Sequence, residues 1–246
     1  VQINRLWATP VPDIRRDEQV LFAQVAEQAL CLTFASGALC CCLPAGWQGL
    51  LAVRGEFEMT GGAGAQILPM PEASLVKLQV FIDLGGALIG QGPRPTSWAA
   101  LAVSYETLDS DKKRERWYIE QAMRGGVSYR AFANVLRHNE NYWLVRFLLE
   151  QGASSEKLTW LAQRYGVSVS HFRRLCRQAL GGATKPALRD WRTAQALLSM
   201  SLEDRSLTDV ALAFGYASSS HFSKEIREQV GFAPSRLADI THLSGK

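Results

Sequence analysis

The chain has 246 residues, 47% of them apolar and 20% charged, which excludes a disordered or fibrous protein and leaves room for one large domain or two small ones. Its formal charge of +4 is unevenly spread: residues 1–150 hold 14 Lys and Arg against 15 Asp and Glu, whereas residues 151–246 hold 13 against 8. The basic excess lies in the last 96 residues, which suits a polyanion partner such as DNA.

The opening stretch VQINRLWATPVPDIRRDEQ carries charges of both signs and no apolar run, so no secretion leader is expected. Residues 28–53 lack any charge and are long enough to span a bilayer. Gly37, Pro44, Gly46 and Gly49 interrupt them, however, and Thr33, Ser36 and Gln48 add polar atoms. They read instead as short buried strands: ALCLTFA (29–35), ALCCCL (38–43) and GLLAVRG (49–55). The expectation is a cytoplasmic protein with no membrane partner.

GGAGA (61–65) reads as a flexible turn, and from Glu72 the period changes. SLVKLQVFIDL sets Leu75, Leu78 and Ile82 on one helical stripe. Further helices are expected over 97–108, 111–123 and 128–137, and ENYWLVRFLLEQG (140–152) is an amphipathic helix followed by a GASSE linker. The cysteines are Cys31, Cys40, Cys41, Cys42 and Cys176, odd in number with three adjacent, so no disulfide framework is legible. Adjacent strand residues point to opposite faces, so Cys40–Cys42 cannot converge on one metal. The cysteines read as small buried thiols, and no metal or cofactor is expected.

Beyond the linker one pattern occurs twice, as KLTWLAQRYGVSVSHFRRLCRQALGG (157–182) and SLTDVALAFGYASSSHFSKEIREQVGF (206–232). Leu158, Ala162, Tyr165 and Gly166 match Leu207, Ala211, Phe214 and Gly215 at an offset of 49. His171, Phe172, Arg177 and Gly181 match His221, Phe222, Arg227 and Gly231 at 50. Each copy reads as helix, turn, helix: an apolar stripe, a glycine that leaves the helix, a Ser168 or Ser218 cap, and a second apolar stripe. Ala162 and Ala211 let the paired helices approach closely.

The outer face of the first copy's second helix carries Ser170, Arg173, Arg174 and Arg177; that of the second carries Ser219, Ser220, Ser223, Lys224 and Arg227. Arg and Lys donate to guanine edges or phosphates, and Ser reads either. A single basic helix face is as readily only a solvated surface as a reader of DNA. Two copies with the same glycine, cap and basic face point to DNA. His171 and His221 open these helices, where they cap, pack or touch phosphate. Between the copies, PALRDWRTAQALLS (186–199) reads as a helix with Pro186 in its first turn, and its Arg192 completes the DNA-facing set. A rigid helix here fixes the spacing of the two readers, which at about 34 Å enter successive major grooves.

The second copy, above all GYASSSHFSKEIREQVGFAPSRL, resembles the DNA-binding region of the AraC/XylS family of bacterial transcription regulators over roughly residues 150–243. The resemblance implies an all-helical module of two helix-turn-helix units joined by a long helix. It places Ser170, Arg173, Arg174, Ser219, Ser220, Ser223 and Lys224 at base edges. HNENYWLVRFLLEQ, YGVSVSHFRRLCRQALGG, LRDWRTAQALL and GYASSSHFSKEI narrow the resemblance to regulators that switch on type III secretion genes, starting near Arg137 and thin upstream of it, mainly at PAGWQGLLAVR. For that group the implied partners are double-stranded DNA, RNA polymerase, a secretion chaperone acting as coactivator, and a second copy of the chain.

The overall expectation is an α+β chain. Residues 1–145 form a β-rich regulatory, chaperone-binding or dimerisation domain with trailing helices, and residues 146–246 an all-α DNA-binding domain with two helix-turn-helix units. Trp7, Trp47, Trp98 and Trp117 are candidate interface residues of the first domain. The alternative is a small-molecule effector pocket in that domain, as in many members of the wider family. Catalysis is not expected. The four spaced cysteines of a zinc alkyl-transfer site are missing, as are GxSxG, HExxH and GxxxxGKS/T.

Overall fold

Alternating and continuous apolar runs in the first 102 residues form β1 (Ile14–Arg15), β2 (Gln19–Gln24), β3 (Leu30–Phe34), β4 (Cys40–Leu43), β5 (Gln48–Val53), β6 (Phe57–Gly61), β7 (Gln66–Met70), α1 (Glu72–Gly85) and β8 (Trp98–Ala102). The helices α2 (Tyr105–Leu108), α3 (Asp111–Arg124), α4 (Val127–Arg137) and α5 (Glu140–Gln151) follow. This is a computed structural model, and it describes residues 14–15, 19–34, 40–85, 96–151, 157–202 and 206–231. Trp7, the GASSE linker and the segment after Gly231 lie outside the described residues. The chain divides into two units, Val1–Trp143 and Leu144–Lys246, with the division inside α5.

In the first unit the strands make two antiparallel sheets, in the orders β1-β6-β3-β4 and β7-β2-β5-β8. Leu21, Leu51 and Val53 from one sheet meet Leu30, Leu32, Phe34, Leu43 and Phe57 from the other in a shared core. The second sheet is buried on its other face too, through Val20, Phe22, Leu50, Ala52, Ala99 and Leu101, where α4 lies over β5 and β8. That double burial explains why GLLAV reads as an unbroken apolar run. Trp47 and Trp98 pack against the core, and Trp117 is half-buried beside Tyr118.

Three sequence expectations change here. Residues 98–102 form a strand instead of opening a helix over 97–108, because Ala99 and Leu101 alternate inward and the segment pairs with β5 from Gly49↔Ala102 to Val53↔Trp98. Only 105–108 is helical there. The buried side of α1 is Leu75, Val76, Gln79, Val80 and Asp83, rotated from the expected stripe so that Leu78 and Ile82 are half-buried. Finally, Cys31 and Cys42 are joined in a disulfide, not held as separate thiols, since the β3–β4 register sets them directly opposite each other on neighbouring strands. Cys41 is buried outside that bond.

The rotation of α1 has a polar cause. Tyr118 and Tyr129 donate to Gln79 Oε1 at 2.7 and 3.0 Å, and Gln79 Nε2 donates to Asp83 Oδ1 at 2.9 Å. Arg137 grips Asp83 with two bonds, Nε to Oδ2 at 2.8 Å and Nη2 to Oδ1 at 2.7 Å, while Tyr142 donates to Oδ2 at 2.7 Å. Burial pushes the Asp83 carboxyl up. The Arg137 and Tyr142 hydrogen bonds and the Arg137 charge outweigh that and hold it below its ordinary value. Glu72 accepts from Asn141 at 2.7 Å and from Asn139 at 3.4 Å, which ties the start of α5 to α1.

The second unit is helical: the end of α5, then α6 (Leu158–Tyr165), α7 (Val169–Leu180), α8 (Thr184–Leu202), α9 (Leu207–Ala213) and α10 (Ser219–Val230). Phe147 of α5 stacks with Tyr165 and Phe172 at ring separations of 5.1 and 6.3 Å, so α5 completes the first helical pair's core. Ala196, Val210, Ala211, Tyr216, Phe222 and Ile226 form the second core, and α8 packs on both α7 and α9. Among the described residues no helix is long and apolar enough to cross a membrane.

Candidate nucleic-acid interface

Each helical pair is built around a left-handed glycine and a serine cap. Gly166 (φ 82°) ends α6 and Gly215 (φ 71°) follows α9, a conformation that β-branched side chains resist. Ser168 Oγ then accepts from the His171 backbone N–H at 3.3 Å, and Ser218 Oγ from that of His221 at 3.1 Å. Gly215→Val is expected to destabilise the second unit by about 2 kcal/mol, with Gly215→Asn costing less because Asn tolerates this region. Thermal melts check this; equal melting of the two variants would contradict it.

The caps orient the second helix of each pair. On α7, Phe172, Leu175, Cys176, Ala179 and Leu180 face inward. Burial pushes the Cys176 thiol up to about 11, so it packs as a neutral group. Ser170, Arg173, Arg174 and Arg177 are exposed. So is Gln178, a further polar side chain on this face that the basic pattern does not single out, although it lies one turn beyond Arg174. No ion pair among the described residues engages the three arginines, and α7 contains no acidic residue.

On α10, Phe222 and Ile226 are fully buried, while Ser220, His221, Lys224 and Arg227 are exposed and Ser219 and Ser223 half-buried. The charge here is balanced. Glu228 lies 4.0 Å from Lys224, and Glu225 is on the same helix. The two outward faces thus differ: α7 presents three unopposed guanidiniums, α10 a mixed polar surface.

Arg192 is not on either face. Its side chain is 17% exposed, 3.4 Å from Glu225 and stacked 4.4 Å over the Tyr216 ring, whose hydroxyl lies 3.0 Å from Thr193 Oγ1. It braces α8 against α10 rather than reaching outward. Residues 33 positions apart in sequence meet here, a pairing that neither period nor motif reveals. Ser206 adds a third cap, on α9, accepting from Asp209 N at 3.1 Å; its sequence signal is the Ser-x-x-Asp spacing.

Residues 161–239 match the helix-turn-helix domain family. The chain is 38% identical over 179 residues to the invasion protein InvF of Salmonella typhimurium, covering 72% of this chain and 83% of InvF. The chain belongs to the AraC family of transcription regulators.

Within the family, it is 40% identical over 114 residues to the transcriptional regulator MxiE of Shigella flexneri, covering 46% of this chain and 54% of that one. A crystal structure of an AraC-type transcriptional regulator from Chromobacterium violaceum matches 40% of this chain and 88% of its own, at 22% identity and a TM-score of 0.36. The 179 residues aligned with InvF exceed the length of the second unit, so the likeness reaches well upstream of Arg137, where the motifs show it only thinly. As an AraC-family member, this chain is a DNA-binding transcription regulator.

Proposed function

We propose that the chain is an activator of invasion and type III secretion genes that works in the cytoplasm, reads its promoters with α7 and α10, and recruits RNA polymerase. The observation that carries the DNA-reading part is the pair of capped helices with outward polar faces. Ser170, Arg173, Arg174, Ser219, Ser220, Ser223 and Lys224 approach base edges; His171, Arg177 and Arg227 approach phosphates. Arg192 is left out of this set because its guanidinium is held by Glu225 and Tyr216. The regulatory theme rests on the likeness to InvF and MxiE, which spans more of the chain than the helix-turn-helix match.

Residues 1–145 serve in this reading as the docking domain for a secretion chaperone acting as coactivator, and for a second copy of the chain. Support for docking over an internal effector pocket comes from the side chains filling the space between the sheets, among them Leu21, Leu32, Phe34, Leu51 and Phe57. The test is reporter transcription from a type III effector promoter, with this chain alone and with its cognate chaperone. Activity only with both is expected. Full activity of the chain alone would overturn the coactivator reading while leaving DNA binding intact.

A further inference from the structure

We propose that Cys31 and Cys42 form a reversible thiol–disulfide site on the first unit, exchanging with low-molecular-weight thiols and disulfides of the glutathione type. Three observations carry it. The strand register pairs Cys31 with Cys42, with flanking partners Leu30↔Leu43 and Leu32↔Cys41. All four flanking residues are buried in the core, so alternation turns Cys31 and Cys42 to the outer face of the sheet. There Cys42 is exposed and Cys31 half-buried. A disulfide that forms part of a packed core is shielded from exchange; this one lies where a small thiolate reaches it.

Its place in the sheet gives the bond a consequence. Among the described residues, β4 is the last strand in the order β1-β6-β3-β4 and pairs with β3 alone. The disulfide closes the chain between positions separated by 11 and fastens that edge strand to its neighbour. A protein that acts on bacterial DNA works beside a reducing thiol pool, where a disulfide of this kind forms and opens with the redox poise.

The chemistry is two successive exchanges. The more exposed Cys42 thiolate attacks one sulfur of glutathione disulfide, forming a mixed disulfide and releasing one glutathione thiolate. Cys31, set directly opposite by the register, attacks the Cys42 sulfur and displaces the second glutathione. Two thiol protons pass to the two glutathione thiolates or to solvent. The cysteine pair is oxidised by two electrons and glutathione disulfide is reduced to two glutathiones.

The test uses the full chain, equilibrated in buffers of graded glutathione to glutathione disulfide ratio, quenched in acid, labelled with a maleimide mass tag and mapped by peptide mass. The expected result is loss of two tags together as the disulfide fraction rises, mapped to Cys31 and Cys42, and their return on reduction. Cys31→Ser should trap a single glutathione on Cys42, since the resolving thiol is gone. The oxidised chain should melt about 5 °C above the reduced one, a difference that vanishes in Cys42→Ser. Retention of both tags at every ratio, or loss mapped to other cysteines, overturns the proposal. So does a bond that stays closed in the most reducing buffer, which would make it a fixed structural link.

Discussion

A variant carrying Arg173→Ala, Arg174→Ala and Lys224→Ala should bind its operator on the order of a thousandfold more weakly than the parent chain. Each bidentate pairing with a base is worth about 1–3 kcal/mol of discrimination, and removing the three proposed contacts approaches the gap between specific and non-specific binding. Arg173 and Arg174 project from the face of α7 opposite Phe172, Leu175 and Cys176. Truncating them removes no buried surface, so the melting temperature should stay within a degree or two of the parent's. Arg177→Ala serves as the contrast. In its proposed role on a phosphate, its loss should weaken binding to all sequences alike and lower the salt slope by about one ion. Titration of promoter and scrambled duplexes at several salt concentrations separates the two effects. Unchanged promoter affinity in the triple variant would remove α7 and α10 as the reading surface. The charge difference between the helices sharpens this expectation, because α7 has no acidic residue to offset its arginines whereas α10 carries Glu225 and Glu228.

The second large effect is expected in the first unit. Asp83→Asn should cost about 3 kcal/mol of stability, because it leaves the Arg137 guanidinium without its carboxylate and removes an acceptor from Tyr142. Asp83 is 8% exposed and Arg137 30%, so water compensates the loss only in part. The pH dependence has a definite sign. The folded carboxyl lies below its unfolded value, so its contribution is complete above about pH 4 and fades as the pH falls through the lower, folded value. The parent chain should therefore lose stability in that acid window, and Asp83→Asn should lack this part of the loss. Urea unfolding at neutral and acid pH measures both quantities. Equal stability of parent and variant at neutral pH would show that the buried ion pair contributes nothing net. Replacing both partners, Asp83→Asn with Arg137→Met, should recover part of the loss, since no unpaired charge then remains buried.

The second unit is the more legible half because its structure is written in short-range code. Apolar residues at helical spacing, a glycine where the chain must turn left-handed and a serine three residues before a helical N–H all act within one or two turns of the chain. Gly166, Ser168, Phe172, Gly215, Ser218 and Phe222 occupy the places that this code assigns them. Duplication of the pattern supplies a second, independent reading of each feature. The outward faces of α7 and α10 follow directly, since whatever does not point to the core at that period points to solvent.

The remainder depends on partners distant in sequence. Trp98–Ala102 is a strand only because β5, some 50 residues earlier, offers it a ladder of backbone hydrogen bonds. Gln79 and Asp83 lie on the buried side of α1 only because Tyr118, Tyr129, Arg137 and Tyr142 meet them there, and without those partners the same positions would cost too much to bury. Arg192 reads on its own as one more basic side chain; Glu225 and Tyr216 turn it inward. Cys31 and Cys42 are eleven residues apart, a spacing without meaning until the register of two strands sets them opposite each other. The amino-acid sequence alone determined the two helical pairs, their glycine turns and their serine caps, because local backbone preferences and apolar periodicity suffice for them. Tertiary structure alone decided the sheet pairings, the buried ion pair, the disulfide and the inward turn of Arg192, because each is an interaction between groups that only the folded chain brings within bonding distance.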